Sequence, residues 1–400
     1  MFMSAHSTTL FSIMNKDTIS TKSKLQQLVE SIGAKYAPDR RVEVYSIEVV
    51  EYDGAIQLKG ETTSTAALKE LAEGAKSIAP HIENHIDTLP SETIGENCWG
   101  IVYNSVGNLH SQPTHKSDMV SQLLLGMPVR VLDKLDDWLR IQAPEGYIGW
   151  VCGSIERMNG RELQARLQKP TIIVTCQYAK SYSKADIYSQ SVSDVVIGNI
   201  FTLDGKEDNF YKVIYPDGRV AFIEKENAKE VDSWLSDIEL TGKSIVNTAK
   251  QLMGVPYVWG GTSSKGLDCS GFTKIIYWLH GIIIPRDASQ QVLCGVEVDN
   301  KGDFEKVQKG DLLFFGTKAT DENTKERVVH VGIYIGNKQF IHAHDYIRIN
   351  SFNPHDKLFD QFNTNRYLRT MRYIGSERAI GITPILDHPF YSKTSLTDDE

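Results

Sequence analysis

Cysteine is scarce in this 400-residue chain: Cys98, Cys152, Cys176, Cys269 and Cys294 make five in all. An odd, widely scattered set excludes a disulfide framework. No CxxC pair and no other Cys/His spacing of the zinc type occurs, so no metal site is implied. The simplest account is four packing thiols and one reactive thiol. Long basic runs are also missing, and the net charge is −8. Nucleic acid and anionic membrane surfaces are therefore not expected partners. No apolar stretch approaches the roughly 20 residues of a membrane span. The run from Leu10 to Met14 is too short for the apolar part of an export signal, and no basic residue precedes it. The expectation is a soluble, cytoplasmic protein, or a periplasmic or secreted one if a signal has been removed. Apolar and aromatic residues stand at 41% and 9%, ordinary for a globular protein. Four hundred residues leave room for two to four domains.

What is present changes texture along the chain. "TKSKLQQLVESIG" places Leu25, Leu28, Val29 and Ile32 at helical spacing, with Gly33 as a stop. "RRVEVYSIEVV" and "AIQLKGET" alternate around Asp53-Gly54, which reads as a hairpin. "STAALKELAEGAKS" reads as a helix capped by Ser64 or Thr65. This first α+β unit, residues 1–92, carries no readable chemistry, and packing or spacing is its default role. From about Gly95 to Leu240 short β runs follow without a strong helix, and the chain repeats. Segments beginning at Ser117 and Ser193 both open Ser-Asp-(Met/Val)-Val. They continue to Asp136-Asp137-Trp138 and Asp208-Asn209-Phe210, and both close on a glycine turn and an apolar strand. Two small SH3-like β-barrels are expected, at 93–168 and 169–238. Residues 239–376 begin with a helix over Gly242–Gly254, continue through a loop into a helix from Cys269 to His280, and end in strands. Helices followed by an antiparallel sheet predict an α+β domain. Residues 377–400 form a tail without periodicity.

The chemistry gathers in that last domain. In "GLDCSGFTKIIYW" Cys269 starts a helix that Asp268 can cap. A helix N-terminus favours a thiolate, because unpaired N–H groups and the positive dipole end face it. A base must come from elsewhere in the chain. His330 lies in the alternating strand "RVVHVGIYIG" on one face with Gly332 and Tyr334. His342 lies in "QFIHAH", one hairpin away across Gly336-Asn337. One histidine can serve as base while the other orients it, and His344 competes for the orienting role.

These residues resemble the NlpC/P60 family of cysteine peptidases. The motifs are "YVWGG", "DCSGF", "IPRDASQQ", "KGDLLFFG", "HVGIYIG" and "FIHAH", six in family order over about a third of the chain. The resemblance implies a papain-like α+β core that cleaves bonds to γ-D-glutamyl groups of cell-wall peptides. It implies Cys269 as nucleophile, His330 as base and His342 as the orienting third member. Tyr257 is implied to assist the oxyanion beside the Cys269 N–H. Two SH3-like domains ahead of such a unit look like the γ-D-glutamyl-L-diamino acid endopeptidases of the dipeptidyl-peptidase VI type. Those act on murein peptides with a free N-terminal L-alanine. By that likeness Tyr147 and Asp268 hold the substrate's amine. Asp118 stands where a glutamate is expected, one methylene shorter. An ammonium taken from water needs anionic partners. Arg286 offers a planar donor fork to the free α-carboxylate of D-glutamate, with Ser270 and Ser289 assisting.

The reaction expected is acyl transfer through a thioester, without metal or organic cofactor, in a monomer whose partner is the murein peptide. Rival readings are a lytic hydrolase of intact peptidoglycan with the barrels as wall anchors, a non-enzymatic wall-binding module, and an acyltransferase of the same fold. Sequence leaves open whether the third residue is diaminopimelate or lysine.

Overall fold

The computed structural model describes residues 5–320 and 325–393. Two units emerge, Met1–Gly95 and Glu96–Glu400. In the first, Leu25, Val29 and Ile32 of the helix Ala5–Tyr36 meet Ala67, Leu71 and Ala75 of the helix Thr65–Ile78 over Tyr45, Ile47, Val49 and Leu58. Ser64 caps the second helix by accepting from the Ala67 N–H. Asp53 and Gly54 both take positive φ, 49° and 78°, which closes a tight two-residue turn between Tyr45–Tyr52 and Ala55–Thr62. A third strand, Glu83–Thr88, adds in parallel.

The second unit holds two seven-stranded antiparallel barrels of one topology. Strand order in the first is Ile155–Met158, Trp99–Val102, Pro128–Leu135, Trp138–Gln142, Ile148–Cys152, Val106–His110, Met119–Leu124. The second reproduces it with Ala228–Glu230, Thr171–Val174, Ile200–Glu207, Phe210–Ile214, Val220–Glu224, Tyr178–Tyr182, Ser191–Val196. Asp136 and Asp208 occupy the same positive-φ turn ahead of Trp138 and Phe210. The similar Ser-Asp openings at Ser117 and Ser193 are not equivalent, however. Ser117 matches Ser189, since each hydroxyl donates back to two carbonyls of its own turn. Hydrogen bonding, not identity, sets the register, and the Ser193 match is out by four residues. The stretch read as free of strong helix also contains a short one, Val231–Ser236, and a longer one, Gly160–Leu167. An Asn159/Glu162 capping box stabilises it in spite of its polarity.

The last domain has a six-stranded sheet in the order Val296–Asp299, Tyr367–Arg372, Leu312–Thr317, Arg327–Gly336, Gln339–Ala343, Ile347–Ser351. The helix Cys269–Trp278 is buried along its whole length. Phe272, Ile275 and Ile276 pack with Leu312, Phe314, Val331, Ile333 and Ile341 in one core cluster. The barrels cover other faces of this helix. Lys274 pairs with Glu145 of the first barrel at 2.8 Å, and Trp278 Nε1 donates to the Gly198 carbonyl of the second. The tail, which carries no periodicity in sequence, adds a short strand, Thr383–Pro384, beside Ile282–Ile283 and presses Phe390 onto Trp99. His388 donates from Nε2 to the Pro144 carbonyl.

The Lys274–Glu145 pair is the interior tie between the helix and the first barrel. Glu145→Ala leaves the ammonium buried and unpaired, and a loss of about 3–5 kcal/mol is expected from urea unfolding. The double variant Glu145→Gln/Lys274→Met should recover most of that loss. Equal loss in both variants would show that packing, not charge, was removed.

Candidate active site

Asp268 caps the thiol helix, and its carboxylate organises everything around the helix start. Oδ1 accepts from the Gly271 N–H at 2.7 Å and from Ser270 Oγ at 3.3 Å. Oδ2 accepts from the Gly260 N–H at 3.0 Å. Arg286 grips both oxygens, from Nη1 at 3.1 Å and Nη2 at 2.5 Å. Nη1 also donates to Ser270 Oγ at 2.9 Å, and Nε to Ser121 Oγ of the first barrel at 3.1 Å. Four of the five Arg286 donors are thus committed to protein groups, and the side chain is 1% exposed.

The strand carrying Ser121 also docks the loop ahead of Cys269. Gln122 Oε1 accepts from the Thr262 N–H and Ser263 Oγ, and Thr262 Oγ1 donates to the Gln122 carbonyl. Gly260 sits at φ +78°, where a Cβ would lie 2.2 Å from the Met119 carbonyl. Only glycine lets these two backbones meet there.

The backbone N–H groups of Val331 and Ser270 favour the Cys269 thiolate. Burial, reinforced by the Asp268 charge, nonetheless pushes the thiol up to about 12. Loss of hydration thus opposes the helix terminus, which favours the thiolate. His330 Nε2 lies 2.8 Å from His342 Nδ1, and His342 Nε2 lies 2.9 Å from Asn350 Oδ1. Asn350 Nδ2 donates to the Leu358 carbonyl, which fixes the amide's orientation. His342 must then donate from Nε2 and accept at Nδ1, so His330 donates from Nε2 and keeps the Nδ1 lone pair free. Burial, then His342 and then Arg366, hold the His330 proton affinity well below the ordinary value. His344 stands outside this relay and pairs with Asp345 at 3.3 Å.

Tyr257 is half-buried, and its hydroxyl has no hydrogen-bond partner among the described residues. Burial, with Cys269 nearby, keeps it protonated. The Cys269 N–H likewise meets no acceptor among the described residues. From the first barrel Tyr147 is buried and donates to Asp287 Oδ2 at 3.3 Å. Ser289 is half-buried in the short helix Ala288–Gln291. Asp118 is exposed beside Met119, and its carbonyl accepts from the Ser111 N–H. Sequence reasoning missed Asn350, Asp287, Ser121 and Gln122. Asp287 was visible next to Arg286 in its motif; the other three carry no local mark of function.

Known proteins share this layout. The model of the NlpC/P60 family matches residues 254–371, and that of the bacterial dipeptidyl-peptidase SH3 domain matches 109–154. A γ-D-glutamyl-L-lysine dipeptidyl-peptidase of Bacillus cereus is 35% identical over 238 residues, 58% of this chain and 68% of that protein. Dipeptidyl-peptidase 6 of Lysinibacillus sphaericus is 26% identical over 271 residues, 65% of this chain and 94% of that protein. The crystal structure of a Bacillus cereus NlpC/P60 family protein aligns with a TM-score of 0.58 at 28% identity, over 69% of this chain and 99% of the other. The chain belongs to the NlpC/P60 family of cysteine peptidases. It also carries the SH3 domain of the bacterial dipeptidyl-peptidases.

The buried imidazoles set the acid behaviour. His342 sits at about 4 through burial, against 6.5 when exposed. Between these values the unfolded chain binds more protons, so stability falls as pH drops from 6.5 toward 4. The slope is up to about 1.4 kcal/mol per pH unit for each such histidine. Urea midpoints measured across this window should fall steeply, and less steeply in His342→Gln.

Proposed function

We propose that this protein is a cysteine endopeptidase hydrolysing the γ-D-glutamyl–diamino acid bond of murein peptides with a free N-terminal L-alanine, a step of cell-wall peptide recycling. The observation that carries this reading is the contact between Tyr147 of the first barrel and Asp287 beside Arg286. A barrel residue and a carboxylate meet at the catalytic domain, which suits a short peptide ending in an ammonium. Asp287 replaces Asp268 as the amine's main anion in this reading, because Asp268 is already saturated by Arg286, Ser270 and two backbone N–H groups. Asp118, near the same strand, takes at most a rim position. Arg286 keeps one Nη2 N–H for the D-glutamate α-carboxylate, with Ser289 alongside, and acts mainly by holding Asp268 and Ser270 in place. The relatives named above as dipeptidyl-peptidases support the substrate class.

Cys269 is the nucleophile and His330 its base. With both neutral at rest, the thiol proton passes to His330 Nδ1 as sulfur attacks the γ-carbonyl. The Cys269 N–H and the Tyr257 hydroxyl donate to the developing oxyanion. His342, oriented by Asn350, stabilises the imidazolium through the Nε2 hydrogen bond. Collapse breaks the C–N bond, and His330 returns its proton to the departing amine. Water, deprotonated by His330, then cleaves the thioester and releases L-Ala-γ-D-Glu.

The test compares L-Ala-γ-D-Glu-diaminopimelate, its N-acetylated form and insoluble sacculi. Rapid cleavage of the free peptide alone is expected, and comparable rates on sacculi would favour a lytic hydrolase. Cys269→Ala should abolish cleavage while retaining the fold. Asp287→Asn should raise KM for the free peptide about 30-fold or more, from the loss of an ammonium's charged partner, without changing the residual rate on the acetylated one. Because His330 resists protonation, the acid limb of kcat/KM should lie below pH 6.5.

A further inference from the structure

Beyond His330 lies a cation that the bond-breaking chemistry does not use. Arg366 follows the short helix Gln361–Asn365, and its carbonyl accepts the Gly316 N–H. Phe315 is in register with His330 on one side and with Tyr367 on the other. Arg366 therefore stands about two strand spacings, roughly 10 Å, from the base. Its guanidinium lies 4.3 Å over the ring of Phe362, and Nε donates to Asn363 Oδ1 at 2.9 Å. Asn363 is buried and is itself held by Asp360, whose Oδ1 accepts from the Asn363 N–H and whose Oδ2 accepts from Nδ2. The plane of the guanidinium is thus fixed from two sides. Nη1 and Nη2 have no hydrogen-bond partner among the described residues. The side chain is half-buried, and its charge is felt at both His330 and Cys269.

A fixed guanidinium with free Nη groups is built for a planar anion. The first-barrel groups Ser121 and Tyr147 gather on the Arg286–Asp287 side of the sulfur. Arg366 comes instead from the chain entering the strand two places from His330 in the sheet. We propose that Arg366 determines specificity for the leaving diamino acid, its Nη groups taking a carboxylate carried by that residue. This rests on the peptidase reading above. Two carboxylates qualify: the α-carboxylate of a C-terminal diamino acid and the side-chain carboxylate of diaminopimelate.

The experiment measures kcat/KM for the intact chain, Arg366→Gln and Arg366→Lys on three substrates. These are L-Ala-γ-D-Glu-L-Lys, its C-terminal carboxamide, and L-Ala-γ-D-Glu-diaminopimelate amidated at the α-carboxylate. Arg366→Gln is expected to lose roughly 10- to 100-fold, chiefly through KM, on at least one carboxylate-bearing substrate. On the lysine carboxamide the loss should be much smaller than on the affected acid, with Arg366→Lys intermediate on the affected substrate. The affected substrate identifies which carboxylate is read. Equal loss on all three, or no loss on either acid, overturns the proposal while leaving the peptidase reading intact. An unaltered chain inert on every substrate overturns the peptidase reading, and the proposal with it.

Discussion

The buried pair of Arg286 and Asp268 is the interaction on which the rest of the site depends. Through Asp268 it caps the thiol helix and holds the Gly260 turn; through Ser270 it fixes the first turn; through Ser121 it reaches into the first barrel. A bidentate pair with its remaining lone pairs satisfied can bear such burial, whereas either ion alone could not. The arrangement ties three distant stretches of chain to the position of one sulfur atom. It also brings the first barrel to the candidate site, since its strand supplies both Ser121 and Gln122.

The same burial that holds the geometry changes the protonation state. A helix N-terminus and two N–H groups act for the thiolate, but desolvation and the Asp268 charge act against it and prevail. Burial above all also lowers the proton affinity of His330. What the hydrogen bonds of the fold prepare is a tautomer. The Asn350–His342–His330 chain leaves Nδ1 of the base unprotonated.

The barrels show how a duplication can be put to two uses. Gln122 and Asp194 occupy equivalent strands, and both reach the hairpin that precedes Cys269. Gln122 binds Thr262 and Ser263, while Asp194 pairs with Lys265 at 2.6 Å. The second barrel further supports the far end of the thiol helix at Trp278. One topology thus clamps the nucleophile's loop and helix from two directions, and only the first copy adds groups at Arg286 and Asp287.

Much of this is legible in the order of residues alone. Asp53-Gly54 marks its turn, Ser64 its cap, Cys269 its helix start, and the alternation around His330 its strand, because each depends on neighbours within a few residues. The capping box at Asn159 is equally local, but its polar helix lacks the apolar period that draws attention. The register of the duplication is not legible in this way, because Ser193 resembles Ser117 in sequence whereas turn hydrogen bonds pair Ser117 with Ser189.

By itself, then, the sequence determined the elements, the family and the candidate thiol and imidazoles. Only the tertiary structure decided that Asp268 belongs to Arg286, that Asn350 orients His342, that Asp287 meets Tyr147, and that burial raises the thiol. Those outcomes turn on which distant side chains share a space without water, and desolvation there outweighs every preference that a local stretch of chain can express.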